Sequence, residues 1–214
     1  MSPSLSTLVD ARAIVLLQDG RTRLWHETPP EPMVDETVEA LVEAQHAANF
    51  VLWHAEDEAR RPSAGDASVA AVKREIDRVN QVRNDTSERL DALLLASLRT
   101  ALPPDGSMRD PSMQELGEQH SETPGMMMDR LSILSLKLFH TREELGREGA
   151  PQGHRERNAK RFSTLQDQRD DLAQCLDRLW AQICAGERYF KQYRQLKMYN
   201  DPELNPILYG SGAE

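Results

Sequence analysis

Apolar residues recur every three or four positions over most of the chain, which is the period of an amphipathic α-helix. The pattern predicts long helices over about residues 35–61, 67–100 and 124–145, and a last one over about residues 155–199. In the last helix the apolar positions follow a seven-residue repeat, formed by Phe162, Leu165, Leu172, Leu176, Leu179, Ile183, Phe190 and Tyr193.

Turn and cap signals separate these helices. Residues 5–17 are predicted as a short helix, with a strand as the alternative, and Gln18-Asp19-Gly20 is expected to end it. After a Pro-rich connector, Asp35 is expected to cap the next helix. Residues 103–119 are expected to form a loop, and Thr123-Pro124 then supplies a cap and a first-turn proline.

These elements predict an all-α fold, an antiparallel bundle of about four long helices with a short N-terminal element and an irregular C-terminal arm. We expect one domain, with the N-terminal element and connector in residues 1–34, the bundle in 35–200 and the tail in 201–214. The seven-residue repeat can fill the core of this bundle or join two copies in a homodimer through residues 155–199.

Composition agrees with this class and narrows the partners. Hydrophobic residues make up 39% of the 214 residues, charged residues 29% and aromatic residues only 5%, as in a charge-rich helical bundle. The net charge of −9 opposes binding to nucleic acid or to anionic lipid. Because no apolar run approaches the roughly 20 residues of a membrane span and no signal peptide is recognisable, we expect a cytoplasmic protein. Cys175 and Cys184 lie too far apart on one helix for a mutual disulfide and are expected to be reduced core residues.

Polar residues interrupt the apolar pattern of the helix over 67–100. Continuing the pattern between Val79 and Leu90 places Arg83 and Thr86 toward the core. A buried Arg requires a carboxylate or an anionic ligand, because an unpaired interior charge costs several kcal/mol. The neighbouring face carries a polar stripe that includes Asp77, Asn80 and Asn84. Two interpretations follow, a solvated face with one structural ion pair or a site for an anion.

The preceding helix has a second polar face, formed by His46, Asn49, Trp53, Asp57 and Arg60, with His54 beside it. A His and a carboxylate one turn apart can meet one metal ion in a bundle. No Glu-x-x-His pair and no His-Glu-x-x-His motif is present, so a hydrogen-bonded polar network is the favoured interpretation and no metal is expected. If a metal binds, the candidate ligands are His46, His54, Asp57 and Glu122.

The segment from His120 to Gly125 begins the helix over 124–145, where free backbone N–H groups favour an anion. Glu122 can be that anion within the chain. Asp129, Arg130 and Lys137 follow within four turns, so an ion-paired cluster with Arg83 or Arg60 is feasible.

Five short strings resemble an uncharacterised family of bacterial helical proteins, a domain of unknown function of the DUF4254 type. They are Leu52-Trp53-His54-Ala55-Glu56-Asp57 with Arg60, Asn80-Gln81-Val82-Arg83-Asn84-Asp85, Ser121-Glu122-Thr123-Pro124-Gly125, Asp129-Arg130-Leu131-Ser132-Ile133-Leu134 with Lys137, and Lys197-Met198-Tyr199-Asn200-Asp201-Pro202. The resemblance spans most of the chain and implies no activity. It does imply a setting, since similar proteins are often encoded among sugar-transferase and cell-surface polysaccharide functions.

No phosphate loop, dinucleotide fingerprint, nucleophile elbow or paired-cysteine zinc pattern is present, so no motif requires a cofactor. The first hypothesis is a binding or accessory protein for a phosphorylated or nucleotide-linked sugar, with candidate ligand-binding residues Arg60, Asn80, Arg83, Asn84, Arg130 and Lys137. The second is a hydrolase or transferase, with candidate catalytic residues His54, Asp57, Asp77, Glu122 and Asp129. The third is a structural protein that dimerises.

Overall fold

The computed structural model describes residues 5–31, 35–100, 117–192 and 194. Within them a 3-10 turn at Leu5–Thr7 is followed by five α-helices, α1 (Ala11–Trp25), α2 (Val38–Ala59), α3 (Asp66–Thr100), α4 (Pro124–Gly146) and α5 (His154–Cys184). Two short strands, β1 (Glu118–Gln119) and β2 (Arg188–Tyr189), pair in parallel. The all-α prediction is confirmed.

Two helical hairpins form the bundle. The most extensive contacts join α2 to α3 and α4 to α5, and short links make each pair antiparallel, as the link at Gly149–Gly153 predicted. Helix α1 packs on α4 and α2. Among the described residues, no helix carries an apolar stretch long enough to cross a bilayer.

The core lies where all five helices face one another, with Leu41 and Val42 contributed by α2. Its fully buried apolar side chains include Leu90, Leu94, Met128, Leu131, Leu176 and Trp180. The seven-residue repeat of α5 contributes Leu172, Leu176, Leu179 and Ile183 to this core, so these side chains are already covered within one chain. A homodimer through residues 155–199 stays a prediction, for which light scattering is the test.

Helix α1 is longer than predicted, because Gly20 does not end it. Gln18 and Thr22 lie on the buried face of α1, where the Gln18 side chain donates to the backbone oxygen of Met128 at 3.1 Å. Tertiary hydrogen bonding therefore outweighs the local turn signal at Asp19-Gly20.

Two predicted helix boundaries are also wrong. Thr37, not Asp35, caps α2, since its hydroxyl accepts from the Ala40 N–H at 3.2 Å. Helix α5 ends at Cys184 because Gly186 takes a left-handed backbone with φ of 73°, and the chain then enters β2. Phe190 follows β2 as a buried residue of the core, outside any helix.

The remaining expectations about residues 101–116 and 195–214, including the C-terminal arm, lie outside the described residues. The prediction that both cysteines are core residues is wrong for Cys175, which is exposed. Cys184 is half-buried, and both are free thiols. One position along α5 separates a buried residue, Leu176, from an exposed one, Cys175, because consecutive side chains point about 100° apart on a helix.

Candidate functional site

A cleft of about 420 Å³ opens between α2, α3 and α4, and we call it the Arg83 cleft. It is lined by Asn49, Leu52, Trp53, Glu56, Asp57, Arg60, Asn80, Arg83, Ile133 and Leu136. Its polar lining comes from α2 and α3, and α4 supplies apolar residues. The two interrupted patterns noted in the sequence therefore converge on one open surface.

Arg83 forms a long ion pair with Asp129. The Arg83 Nε lies 3.8 Å from an Asp129 carboxylate oxygen, which also accepts from the Asn49 side chain at 2.8 Å. Burial raises the pKa of Asp129, while the charge of Arg83 and the Asn49 hydrogen bond act in the opposite direction. Within the described part of the chain Arg83 has no other ion pair, so its guanidinium is only loosely compensated.

The rim of the Arg83 cleft is acidic as well as basic. Arg60 pairs with Glu56 at 2.7 Å and approaches Asp57 at 4.0 Å, and all three side chains are exposed. Such a surface pair contributes only about 0–1 kcal/mol, so Arg60 can leave it for another anion at little cost. Trp53 also lines this cleft, and its indole Nε1 is buried without a hydrogen-bond partner among the described residues.

Beneath the cleft a buried histidine links three helices. His46 contacts the Thr22 hydroxyl through Nε2 at 2.9 Å and the Ser132 hydroxyl through Nδ1 at 2.7 Å. The Thr22 hydroxyl donates to the Gln18 carbonyl, so it accepts from His46, and Ser132 then donates to His46 while accepting from Asn49. This order fixes the tautomer with the proton on Nε2. Burial lowers the pKa of His46 to about 4, so the ring is neutral at neutral pH.

The anion expected at the start of α4 is Asp91 of α3. Its carboxylate accepts hydrogen bonds from the Thr123 hydroxyl and from the Gly125 N–H, the latter at 2.8 Å. A Cβ at position 125 would lie 2.8 Å from the Asp91 Oδ1, so only glycine fits. Glu122, the sequence candidate for this role, instead contacts Arg130 at 2.8 Å. Burial raises the pKa of Asp91 to about 6, although both hydrogen bonds favour its ionised form.

A second cleft, of about 720 Å³, lies between α4 and α5, and we call it the Arg130 cleft. Its polar lining includes His120, Glu122, Arg130, Lys137 and Asp171. Because Arg130 is already paired with Glu122, Lys137 is the main unneutralised cation of this cleft among the described residues. The two clefts meet at Ile133, which lines both.

Of the six predicted ligand-binding residues, three share one cleft. Arg60, Asn80 and Arg83 line the Arg83 cleft, whereas Arg130 and Lys137 line the Arg130 cleft. Asn84 lines neither of these clefts, because it lies on a buried face of α3.

The predicted catalytic residues are not brought together. Asp57 lies on the rim of the Arg83 cleft and Asp129 contacts its Arg83, while Glu122 lines the Arg130 cleft. Asp77 points away on an exposed face of α3, where Lys73 pairs with it at 2.6 Å. His54 lies beside His26 and His140.

The metal candidates are dispersed too. His46 is enclosed by hydroxyl partners, and Asp57 and Glu122 line different clefts, so the four candidates do not form one cluster. Of the other three, Asp57 is the one whose charge acts on His54. Burial lowers the pKa of His54, and the nearby rings of His26 and His140 act in the same direction.

Sequence reasoning missed Asp91, His26 and His140. Asp91 could have been recognised, because it is the one charged residue in the apolar run from Leu90 to Leu95 of a predicted helix. His26 and His140 gave none, since each is a single histidine near a helix end or on a half-buried face.

The model of one family, described as a protein of unknown function (DUF4254), matches residues 39–192. That range contains α2 to α5 and all residues that line the Arg83 cleft. No curated protein and no solved structure matches the chain significantly. Since the match covers well over half of the sequence, the chain belongs to the DUF4254 family of proteins of unknown function.

Proposed function

We propose that this protein binds an anionic metabolite in the Arg83 cleft and acts as a binding or accessory protein in the cytoplasm. A phosphorylated or nucleotide-linked sugar, in the context of cell-surface polysaccharide synthesis, is the ligand class we favour. The observation that carries the proposal is the exposure and the weak ion pairing of Arg83. Its side chain is 28% exposed in an open cleft, and its one ion pair in the described structure is 3.8 Å long.

The chemistry of the cleft suits a sugar phosphate in particular. Arg83 and Arg60 present guanidinium groups, whose fork of N–H donors matches phosphate oxygens. Asn80 offers an amide for sugar hydroxyls. The acidic residues Glu56 and Asp57 oppose an anion, but both lie on the rim beside Arg60.

A binding role is supported over catalysis by the placement of the acid–base candidates. His54 lies beside two other histidines, Asp77 on an outer helix face and Glu122 in the Arg130 cleft. Asp57 lines the Arg83 cleft, and Asp129 is engaged with Arg83 and Asn49. General acid–base catalysis needs such groups within hydrogen-bond reach of one reacting atom.

Isothermal titration with a nucleoside diphosphate sugar, a hexose phosphate and inorganic phosphate tests the proposal. We expect saturable binding of at least one of them. Arg83→Met should weaken it tenfold or more, because a hydrogen bond to a charged group contributes about 1.5–3 kcal/mol. Arg78→Met is the matched control, since Arg78 lies on the same helix but pairs with Glu75 in solvent.

Two results would contradict the proposal. One is the absence of saturable binding by all three compounds at millimolar concentration. The other is equal weakening by Arg83→Met and Arg78→Met, with circular dichroism showing both variants folded, because a specific cleft must distinguish the two positions.

A further inference from the structure

Three histidines from three helices meet at one end of the bundle. His26 caps the C-terminus of α1, His54 lies in α2 and His140 lies in α4. One ring nitrogen from each can be chosen so that all three lie within 4.8 Å of one another. The ring centroids are 5.2 Å apart for His26 with His54 and with His140, and 5.6 Å apart for His54 with His140.

Hydrogen bonds hold two of the rings in the form that a metal requires. The His26 Nδ1 lies 2.7 Å from the Thr22 carbonyl, which can only accept, so Nδ1 carries the proton and Nε2 keeps its lone pair. The His140 Nδ1 lies 2.8 Å from a Glu143 carboxylate oxygen in the same way. A carboxylate or carbonyl on the second nitrogen of a metal-bound histidine is the usual outer-shell arrangement.

The remaining nitrogen of His140 is an acceptor without a partner. Its Nε2 is buried and makes no hydrogen bond with any residue that the structure describes. A buried polar atom left unpaired costs about 1–3 kcal/mol, which a ligand on that atom would recover. The same atom is the one that the Glu143 hydrogen bond leaves free for coordination.

Aromatic rings pack against the members of the cluster. Trp53 stacks on His140 with planes 7° apart, and Phe139 stacks on His26 at a centroid distance of 4.2 Å. Phe50 meets both His26 and His54 edge to face.

From this geometry we propose that His26, His54 and His140 form a site for a divalent transition-metal ion such as Zn²⁺. Three imidazoles suit zinc, cobalt, nickel or copper, whereas magnesium and calcium require oxygen ligands. Zinc bonds of 2.0–2.1 Å place tetrahedral ligands roughly 3.3 Å apart, so the nitrogens must close by at most about 1.5 Å. His54 is exposed and can rotate to do so.

Three protein ligands leave the fourth position of a tetrahedral ion open to water or to a ligand. Trp53 lies between this site and the Arg83 cleft, since it stacks on His140 and also lines the cleft. The metal site does not depend on the proposed anion binding, and its test below contains no anionic metabolite.

The test is titration of the full chain, without a histidine tag, with ZnCl₂ by calorimetry and with CoCl₂ by visible absorption. We expect one ion per chain and the cobalt absorption band of a nitrogen-ligated, four- or five-coordinate ion. His54→Gln and His140→Gln should each weaken zinc binding at least tenfold and abolish the cobalt band. His120→Gln is the control, because His120 lies outside the cluster with its Nδ1 near the Glu122 carbonyl at 2.8 Å, and it should leave both readouts unchanged.

Zinc binding that is unaffected by His54→Gln would overturn the proposal, and so would the absence of a cobalt band in the unmodified chain. His54 is exposed, so its substitution is expected to leave the fold intact and keeps the test decisive even if His140→Gln unfolds the protein.

Discussion

The buried His46 should make stability depend on pH in a way that can be isolated. Its pKa falls from the ordinary 6.5 to about 4 on folding, because burial disfavours the charged ring. Protonation therefore favours the unfolded chain. The contribution of His46 is fully present above pH 6.5 and is lost as the pH falls toward 4. The full shift corresponds to about 3 kcal/mol, of which about 2 kcal/mol is lost by pH 5.

Asp91 titrates in the opposite sense over an overlapping range. Its pKa rises from 3.8 to about 6 on folding, so its contribution is present below pH 3.8 and is lost as the pH rises through 6. The two effects partly cancel in the unmodified protein. A comparison with His46→Gln separates them, because Asp91 is present in both proteins and makes no contact with His46.

The assay is urea unfolding of both proteins at several pH values between about 7.5 and 5. The difference in unfolding free energy should shrink by about 2 kcal/mol over that range. An NMR titration of the unmodified protein gives a second readout, in which the His46 ring should stay neutral down to about pH 5. A free-energy difference that stays constant, or a His46 ring that titrates near 6.5, would refute the reasoning.

Two further predictions concern stability. Gly125→Ala should lower the free energy of unfolding by about 1–3 kcal/mol, because its Cβ would press on the buried carboxylate of Asp91. Gly20→Ala, in the middle of α1 with no atom within 4 Å of its Cβ, should instead raise it by about 0.5–1 kcal/mol. A Gly125→Ala variant with an unchanged or raised urea midpoint would contradict the first prediction, and a Gly20→Ala variant with a lowered midpoint would contradict the second. Asp19→Asn should cost about 1–2 kcal/mol, since Asp19 pairs with the largely buried Arg169 at 2.9 Å, and a loss below about 0.3 kcal/mol would contradict this.

The helices could be predicted because their signals are local. The three-and-four spacing identified α2 to α5, and Thr123-Pro124 placed the start of α4 at the residue where the structure has it. The errors in the predicted helix boundaries occurred where long-range contacts determine the local structure. Gly20 lies within α1 because Gln18 reaches α4, and the chain beyond Gly186 pairs as β2 with β1 instead of resuming the helix. Neither partner is visible from the neighbouring sequence.

The types of residue that line the candidate site could be predicted from the sequence, but the residues that they contact could be predicted less well. The break in the pattern at Arg83 predicted a carboxylate or an anionic ligand beside it, and the structure places an Asp129 oxygen 3.8 Å from the Arg83 Nε. The histidine cluster was not predictable, because His26, His54 and His140 come from three helices whose relative rotation depends on packing of the whole bundle.

Asp91 also decides where an external anion can bind. The sequence suggested two places for one, the N-terminus of α4 and the face that carries Arg83. The first is already filled, because the Asp91 carboxylate occupies the N–H of Gly125 and the hydroxyl of Thr123. A second anion there would meet a buried negative charge, whose ionisation burial already opposes. Among the described residues Arg83 has one ion-pair partner, at 3.8 Å in an open cleft, so an anionic ligand is expected on α3 and not at the start of α4.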